Sequence, residues 1–337
     1  MSKPLVVILS IADWAGSQYQ AYRAIDSAGE FECRHISMYT HPYEFPSDIF
    51  LPVYPKTSND YELSLFKKSF MSFAYQKAAE QLQKADIIHL WNTYPGDGSM
   101  LVAGLPVDFK KIKVVTMTGS MYRDNHTDLN QLLRELGHIK LIVQNPNLKF
   151  SAEIDSTFIP HAVDTDFFKP VPFEERGKTV GGYRAMDMNP VRPSDKDLKH
   201  LSEVIKKFPE WSVDLDYSQT WHERMELLPK CGIFIQDLSP HMGYWGRSAL
   251  EACAFGIPTI SNYSSRAIQN SEGKLGSIPI VNTKWDDIGL KLKTLIEDDL
   301  YRKDVGEKSR KWIENHFSYP VVGGMYSEVY RKALSEI

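Results

Sequence analysis

The sequence predicts an α/β protein with two similar halves, each built on a parallel sheet. Short apolar runs typical of buried strands alternate with helical stretches along the chain. Its length of 337 residues favours two domains of about 150 residues each. Between the halves, Pro170, Pro172 and a charged run at residues 174–178 are typical of a linker. In sheets of this kind, ligands bind beyond the carboxyl ends of the strands.

The first half begins with a strand, because residues 5–10 are a short apolar run that follows the N-terminus directly. The same kind of run predicts further strands at residues 32–38, 86–91, 113–117, 140–144 and 157–159. Helices are predicted between them at residues 19–27, 61–84 and 128–136. Residues 41–55 are rich in proline and aromatic side chains, which indicates an irregular loop.

The alternation resumes in the second half with a strand at residues 179–183. Further strands are predicted at residues 212–215, 233–236, 259–261 and 278–281. Helices are predicted at residues 195–208, 221–228, 285–298, 301–316 and 320–337. One more short helix follows a glycine-bearing loop at residues 243–246, and a Gly-Ile-Pro sequence at residues 256–258 stops it.

Composition and charge exclude several classes of protein. With 42% hydrophobic and 24% charged residues, the chain is expected to be a folded, soluble protein rather than a disordered one. A net charge of −4 argues against a strongly basic surface, so no stable nucleic-acid binding is expected. Cys33, Cys231 and Cys253 show no disulfide or zinc spacing, which favours the reducing cytoplasm. Neither a signal peptide nor a transmembrane segment is recognisable.

The loop and helix that start at Gly243 suit a nucleoside diphosphate. A loop of small residues at a helix start exposes backbone N–H groups, and the helix dipole adds positive charge there. Ser248 and Glu251 are three positions apart and therefore share one helix face. The serine suits a phosphate, and the glutamate suits the hydroxyl groups of a ribose. An ordinary loop–helix–strand connection is the alternative.

Four segments carry a resemblance to a known family. They are residues 13–16 (Asp-Trp-Ala-Gly), 86–91 (Asp-Ile-Ile-His-Leu-Trp), 159–170 (Ile-Pro-His-Ala-Val-Asp-Thr-Asp-Phe-Phe-Lys-Pro) and the block at residues 243–261. Together they resemble the retaining, nucleotide-sugar-dependent glycosyltransferases of family 4, which have the GT-B fold. The resemblance implies two Rossmann-like domains with a donor cleft between them. Residues 1–165 would form the N-terminal, acceptor-side domain and residues 166–318 the nucleotide-sugar-binding domain. Residues 319–337 would form a helix that packs back on the N-terminal domain.

The resemblance also assigns candidate site residues. Proposed catalytic groups are two cations, Arg192 and Lys196, together with His161 in the crossover between the domains. For each cation a solvated surface position is the alternative, and for His161 a role in pinning the linker. The donor-binding set comprises Gly16, Arg184, Gly243, Tyr244, Trp245, Gly246, Arg247, Ser248 and Glu251. The acceptor-side set comprises Trp14, Trp91, Thr118 and His126, and His89 is expected at a strand end that faces the cleft. Core packing is the alternative for each aromatic side chain.

Two departures from the family pattern concern catalysis. Gly243 stands where the family has the first of two glutamates, so only Glu251 remains of that pair. Thr118 stands where the family often has a histidine. His126, eight residues further on, is a candidate substitute, and a solvated loop histidine is the alternative.

The expected reaction is transfer of a sugar from a nucleotide-sugar to an acceptor hydroxyl with retention of configuration. No nucleophilic carboxylate is recognisable, so attack from the face of the leaving phosphate fits the sequence better. No Asp-x-Asp motif lies in a plausible metal loop, so helix N-termini and Arg or Lys side chains would meet the leaving-group charge. Thus neither a metal nor a cofactor is expected, and the nucleotide-sugar is a co-substrate.

Two other functions compete with glycosyl transfer. One is a non-catalytic GT-B protein that binds a nucleotide or a glycan, and the other is a nucleotide-sugar epimerase. The acceptor also stays open: a glycan, a lipid-linked glycan, a protein, a small molecule or a modified DNA base are all compatible with the sequence.

Overall fold

A computed structural model describes residues 2–12, 16–39, 46–51, 64–93, 105, 107–146, 148, 155–182, 195–214, 225–236, 238 and 243–336. The chain divides into two units, Met1–Ala162 with Tyr319–Ile337, and Val163–Ser318. Each unit contains one parallel sheet with helices between its strands. The predicted α/β class is confirmed.

The strands, in chain order, are β1 Leu5–Ala12, β2 Glu32–Tyr39, β3 Ile49–Phe50, β4 Ile87–Trp91, β5 Ile112–Met117, β6 Lys140–Val143, β7 Ser156–Phe158, β8 Thr179–Gly182, β9 Ser212–Asp214, β10 Ile233–Ile235, β11 Thr259–Ser261 and β12 Val281–Asn282. The helices are α1 Ser17–Ala28, α2 Ser64–Lys84, α3 Gly119–Leu136, α4 Asp195–Ile205, α5 Arg247–Ala254, α6 Ser265–Leu275, α7 Ile288–Glu297, α8 Asp299–His316 and α9 Tyr319–Ser335.

The sheet of the first unit has seven strands in the order β3-β2-β1-β4-β5-β6-β7. All neighbouring pairs are parallel, and Val6 of β1 lies opposite Cys33 of β2 on one side and Ile87 of β4 on the other. Every residue of β4 is buried. Continuous burial is expected of a central parallel strand that is covered on both faces, and it explains the unbroken apolar runs in the sequence.

The last helix of the chain, α9, packs on α1 within the first unit. Its Gly323 lies so close to α1 that a Cβ atom there would stand 2.1 Å from the carbonyl oxygen of Ala24. Val322, Tyr326 and Tyr330 are fully buried and share the core with strands of the seven-stranded sheet. This helix is therefore an integral part of the first unit.

The sheet of the second unit has five strands in the order β12-β11-β10-β8-β9, again all parallel. Its core is mainly aliphatic: Val180, Ile233 and Ile260 come from the strands, and Leu292 and Leu295 come from α7. Arg310 of α8 donates hydrogen bonds to the carbonyl oxygens of Thr165, Phe168 and Ala254. These bonds fix the crossover segment and the end of α5 to one helix.

The structure corrects four details of the predicted elements. A two-residue strand, β3, lies within residues 41–55, which the composition predicts to be an irregular loop. Helix α3 begins at Gly119 rather than at residue 128. Helix α6 was not predicted at all. A separate 3-10 turn at Trp285–Asp287 precedes α7, so α7 begins at Ile288, three residues after the predicted start at residue 285.

Candidate functional site

Helix α5 starts from a loop that contains two glycines, each with a different structural role. Gly243 has a φ of 62°, a conformation that favours glycine. Gly246 is the N-cap residue of α5 and has extended backbone angles. A Cβ atom on Gly246 would lie 2.8 Å from Nε2 of Gln236, the residue that follows β10. Glycine at 246 thus lets the amide of Gln236 lie against the helix start, and glycine at 243 suits the backbone conformation there.

Ser248 and Glu251 both lie on this helix and are buried, with exposed fractions of 8% and 2%. Because Gly246 has no side chain, the helix has no side-chain hydrogen bond at its N-cap. The first N–H groups of a helix have no partner within the helix and can bind an anion. The arrangement thus combines an uncapped helix start with a hydroxyl group and a carboxylate one turn apart.

Arg247 holds the carboxylate of Glu251. Its Nε donates to Oε1 of Glu251 over 3.2 Å, and the two side chains are 11% and 2% exposed. The Nη1 atom of Arg247 and the Oε1 atom of the neighbouring Gln236 are buried without a hydrogen-bond partner. A ligand at this helix start would supply the hydrogen bonds that these two atoms lack.

The loop residue Gly243 is tied to the start of α6. Both the backbone N–H and the side-chain hydroxyl of Ser264 donate to the carbonyl oxygen of Gly243, over 3.0 Å and 3.1 Å. The hydroxyl oxygen of Ser264 also accepts from the N–H of Ala267 and so caps α6. A single side chain therefore fixes the loop and begins the helix.

A pocket of about 620 Å³ opens beside this junction, within the second unit. It lies past the carboxyl ends of β11 and β12, where ligands bind in parallel sheets. Its lining consists mostly of polar side chains with two lysines: Gly243, Asn262, Tyr263, Ser264, Ser265, Asn282, Thr283, Lys284, Asp287, Leu290 and Lys291.

The two aromatic residues of the glycine loop are buried in the second unit. The ring of Trp245 is 3% exposed and packs edge-on against Tyr263 and Trp312, at centroid distances of 5.6 Å and 5.4 Å. Tyr244 is 8% exposed. The structure therefore gives Trp245 a packing role, which is the alternative that the sequence left open for it.

In the first unit, Thr118 and Asn92 meet at the carboxyl ends of β5 and β4. Thr118 is the N-cap residue of α3, and its N–H and hydroxyl both donate to Oδ1 of Asn92 over 2.9 Å. Asn92 has a φ of 50° and is 5% exposed. Such a backbone conformation is uncommon outside glycine and is found at functional sites. Asn92 is not among the site residues predicted from the sequence, although a polar residue directly after a buried strand is a signal for it.

Two of the three histidines differ from the sequence expectation, whereas His161 follows β7 in the crossover, as predicted. His126 lies on α3 and not in a loop, half-buried, with its ring edge against Tyr122. His161 is 8% exposed, and its Nε2 lies 3.3 Å from Oδ1 of Asn145. His89 lies inside β4 and is fully buried, so it does not stand at a strand end facing a ligand.

Trp91, predicted on the acceptor side, has no exposed surface and packs on His89 and Tyr326. The carboxyl end of β4 turns its indole into the core, which removes it from contact with a substrate. Gly16 is the N-cap residue of α1, with a left-handed φ of 71°. Trp14, Arg184, Arg192 and the side chain of Lys196 lie outside the described residues.

Solved structures share this architecture over nearly the whole chain. Sucrose-phosphate synthase from Thermosynechococcus elongatus matches with a TM-score of 0.59 and 14% identity, over 99% of this chain and 100% of that chain. A glycosyltransferase from Rickettsia africae matches with a TM-score of 0.57 and 14% identity, over 100% of both chains. The fold is the GT-B fold.

A third GT-B structure, HepE from Anabaena in complex with UDP and glucose, matches with a TM-score of 0.57 and 12% identity, over 98% of this chain and 100% of that chain. No protein-family model matches the chain, and no curated protein matches it in sequence. Among the helices in the described ranges, none is both long and apolar enough to cross a membrane.

Proposed function

We propose that the protein is a glycosyltransferase that moves a sugar from a nucleotide-sugar to an acceptor hydroxyl. The observation that carries the proposal is the start of α5, where an uncapped helix presents Ser248 and, one turn later, a buried Glu251. The GT-B fold and the UDP and glucose in the complex of HepE support the same function. The proposed donor site lies in the unit Val163–Ser318.

The proposed chemistry follows from charge. Negative charge grows on the leaving diphosphate in the transition state, and preorganised N–H groups stabilise it. The start of α5 supplies such groups, and Ser248 adds a hydroxyl donor. We assign Arg192 and Lys196 as further cations from their sequence positions. Glu251, held by Arg247, would accept hydrogen bonds from the ribose hydroxyls.

We further propose that transfer retains the anomeric configuration and needs neither a metal nor a cofactor. In this mechanism the departing phosphate accepts the proton of the acceptor hydroxyl, on the face where the new bond forms. The enzyme contributes orientation and charge stabilisation, which are sufficient when the acceptor hydroxyl is held on the same face of the sugar as the departing phosphate. The acceptor is proposed to be a glycan, a lipid-linked glycan or a small molecule, and the site of action the cytoplasm.

The test is thermal unfolding with UDP-, GDP-, ADP- and dTDP-sugars, each in the presence of EDTA. A ligand that binds only the native state at about 100 times its Kd adds about 2.7 kcal/mol of stability. We expect one nucleotide to raise Tm in the wild type, and Ser248→Ala and Glu251→Gln to reduce that rise. Glu297→Gln is the matched control, since this exposed carboxylate lies on α7, outside the pocket lining. If no nucleotide-sugar raises Tm, the assignment of the donor site is wrong.

A second candidate function is ligand binding without turnover. Gly243 favours it, because the position carries no carboxylate that could act on the transferred sugar. Incubation with the stabilising donor distinguishes the two functions. Release of free nucleoside diphosphate, by hydrolysis or by transfer to an added glycan, supports the enzyme, and tight binding without release supports the binding protein.

A further inference from the structure

The pocket beside Gly243 carries an uncompensated positive charge. Lys284 and Lys291 line it, against the single carboxylate of Asp287. Neither lysine has a carboxylate within ion-pair distance in the part of the chain that the structure describes. By contrast, Nζ of Lys293, which lies on α7 with Lys291, is 3.9 Å from Oε1 of Glu297. A concave surface that carries two cations and one carboxylate has a net positive charge and attracts a negatively charged ligand.

The remaining lining suits a sugar. Ser264, Ser265 and Thr283 bring hydroxyl groups, and Asn282 brings an amide. Such groups both donate and accept hydrogen bonds, as sugar hydroxyls require. The volume of about 620 Å³ lies within the range of about 300 to 1,000 Å³ that is usual for small-molecule sites.

The pocket begins at the loop that leads into α5. Gly243 lines it and contributes neither a side chain nor a charge, and three residues later Gly246 starts the helix. A group that is attached to a diphosphate at the start of α5 is therefore close to the pocket mouth. No carboxylate from the loop position 243 would repel a negative charge on that group.

We propose that this pocket binds a sugar that carries a negative charge, either a hexuronate or a sugar phosphate. The charged group lies between Lys284 and Lys291, and the hydroxyl and amide side chains hold the sugar ring. Two sources have this chemistry: the transferred sugar of the donor, and a free sugar that serves as acceptor. For the donor source the inference rests on the proposed function, because only then does a diphosphate occupy the start of α5.

The experiment compares pairs of ligands in which one member carries an additional negative charge on the sugar. UDP-glucuronate is titrated against UDP-glucose, GDP-mannuronate against GDP-mannose, and glucose 6-phosphate against glucose, each by calorimetry. We expect the charged member of at least one pair to bind at least about 5-fold more tightly, since one close charge pair in water contributes about 1 kcal/mol. The preference should weaken at high salt. If the charged sugar is preferred only when it is linked to a nucleotide, the pocket binds the transferred sugar of the donor. If glucose 6-phosphate is preferred over glucose, the pocket binds a free acceptor sugar.

Matched variants connect this preference to the pocket. Lys284→Gln and Lys291→Gln should each lower the charged-to-neutral affinity ratio, and the double variant should bring it close to one. Asp287→Asn should raise it, and this carboxylate makes no capping bond that the change would remove. Lys293→Gln is the control: it removes one positive charge from α7, the helix of Lys291, but outside the pocket, and it should leave the affinity ratio unchanged.

Equal binding within all three pairs would overturn the inference, as would a preference that the Lys284→Gln, Lys291→Gln double variant keeps. These outcomes differ from failure of the proposed function. If nucleotide-sugars bind but no charged ligand of the three pairs is preferred, the donor site stands and only the charge preference falls. If no nucleotide-sugar binds while glucose 6-phosphate does, the proposed function falls and the pocket stands.

Discussion

At the scale of the residue, Arg247 determines the environment of Glu251. The two side chains form an ion pair that is almost completely withdrawn from water, and the spacing of four positions brings them together on one helix face. Withdrawing two charges from water is costly, and the mutual attraction offsets that cost only while both partners are present. The pair is therefore more sensitive to loss of one member than an exposed ion pair on the same unit, such as that of Lys308 with Asp304.

We predict that Arg247→Ala lowers the free energy of unfolding by about 3 kcal/mol, since it takes this partner from a buried carboxylate. Urea unfolding followed by circular dichroism measures the change. Lys308→Ala removes a cation from an exposed pair and should cost less than about 1 kcal/mol. Equal effects of the two substitutions would mean that Arg247 contributes no more than a surface charge.

The three thiols show how burial controls reactivity. Cys33, Cys231 and Cys253 are all free and buried. Desolvation raises the pKa of Cys231 to about 12 and that of Cys253 to about 11, and it raises the pKa of Cys33 well above its ordinary value. Because the thiolate is the reactive form, all three cysteines should be inert in the native protein.

The prediction is that native protein at pH 8 reacts with Ellman's reagent far more slowly than a free cysteine does. At that pH less than about 1% of a thiol with a pKa near 11 is ionised. Protein unfolded in guanidinium should titrate with all three thiols at once. Rapid reaction of one native thiol would show that its site opens to solvent, and peptide mapping would identify which one.

The sequence predicts the positions of side chains well where local spacing decides them. Ser248 and Glu251 share a helix face because they are three positions apart, and the structure has them on one short helix. It predicts them less well where tertiary packing decides. Trp91 ends a strand and Trp245 lies between two glycines of a loop, as a ligand-lining aromatic residue would, yet both rings are buried. No local sequence pattern distinguishes an indole that packs in the core from one that faces the solvent.

At the scale of the element, the errors of prediction have identifiable causes. Helix α6 has a serine cap at Ser264, which is a start signal, but polar residues and Gly273 obscure its apolar face. Helix α3 starts at Gly119, directly after its N-cap Thr118. Glycine favours loops by propensity, and the burial of Tyr122, whose hydroxyl donates to Oδ1 of Asn130, is a tertiary feature that the local sequence does not reveal.

Two adjacent glycines of α9 provide a controlled test of helix packing. Gly323 faces α1, where a Cβ atom would stand 2.1 Å from a backbone oxygen, whereas Gly324 is exposed and has nothing within 4 Å. We predict that Gly323→Ala destabilises the protein by about 2 kcal/mol or more, because the helices must separate. Gly324→Ala should instead stabilise it by about 0.5 to 1 kcal/mol through helix propensity. Urea unfolding of both variants measures the difference. If both substitutions change the free energy of unfolding in the same direction, the close contact between α9 and α1 is contradicted.

At the scale of the whole molecule, the final helix connects the end of the chain to the sheet of the first unit. His89 of β4 is the central contact: its Nδ1 lies 2.8 Å from the hydroxyl of Tyr330 on α9, and its Nε2 lies 2.7 Å from the hydroxyl of Thr116 on β5. Burial lowers the pKa of His89 to about 3. In the same sheet, burial lowers the pKa of His35 to about 4. Both imidazoles are therefore neutral in the folded protein at any pH near neutrality.

These two histidines should make folding sensitive to acid. In the unfolded chain each binds a proton below about pH 6.5, whereas in the native state neither does so until pH 4 or lower. The unfolded state therefore binds more protons between these values, so stability is complete above pH 6.5 and falls as the pH decreases. At about 1.4 kcal/mol per pH unit, each histidine should cost about 2 kcal/mol at pH 5.

We predict a combined loss of about 4 kcal/mol between neutral pH and pH 5, measured by urea unfolding at a series of pH values. His35→Gln cannot take up a proton, so it should remove about half of the pH dependence even if it lowers stability at neutral pH. Comparing slopes rather than absolute stabilities separates proton linkage from lost packing. If the slope of the variant equals that of the wild type, His35 is not the group that titrates. If the wild type shows no slope over this range, then both buried imidazoles gain access to protons without unfolding, and the contact of His89 with Tyr330 opens in the native state.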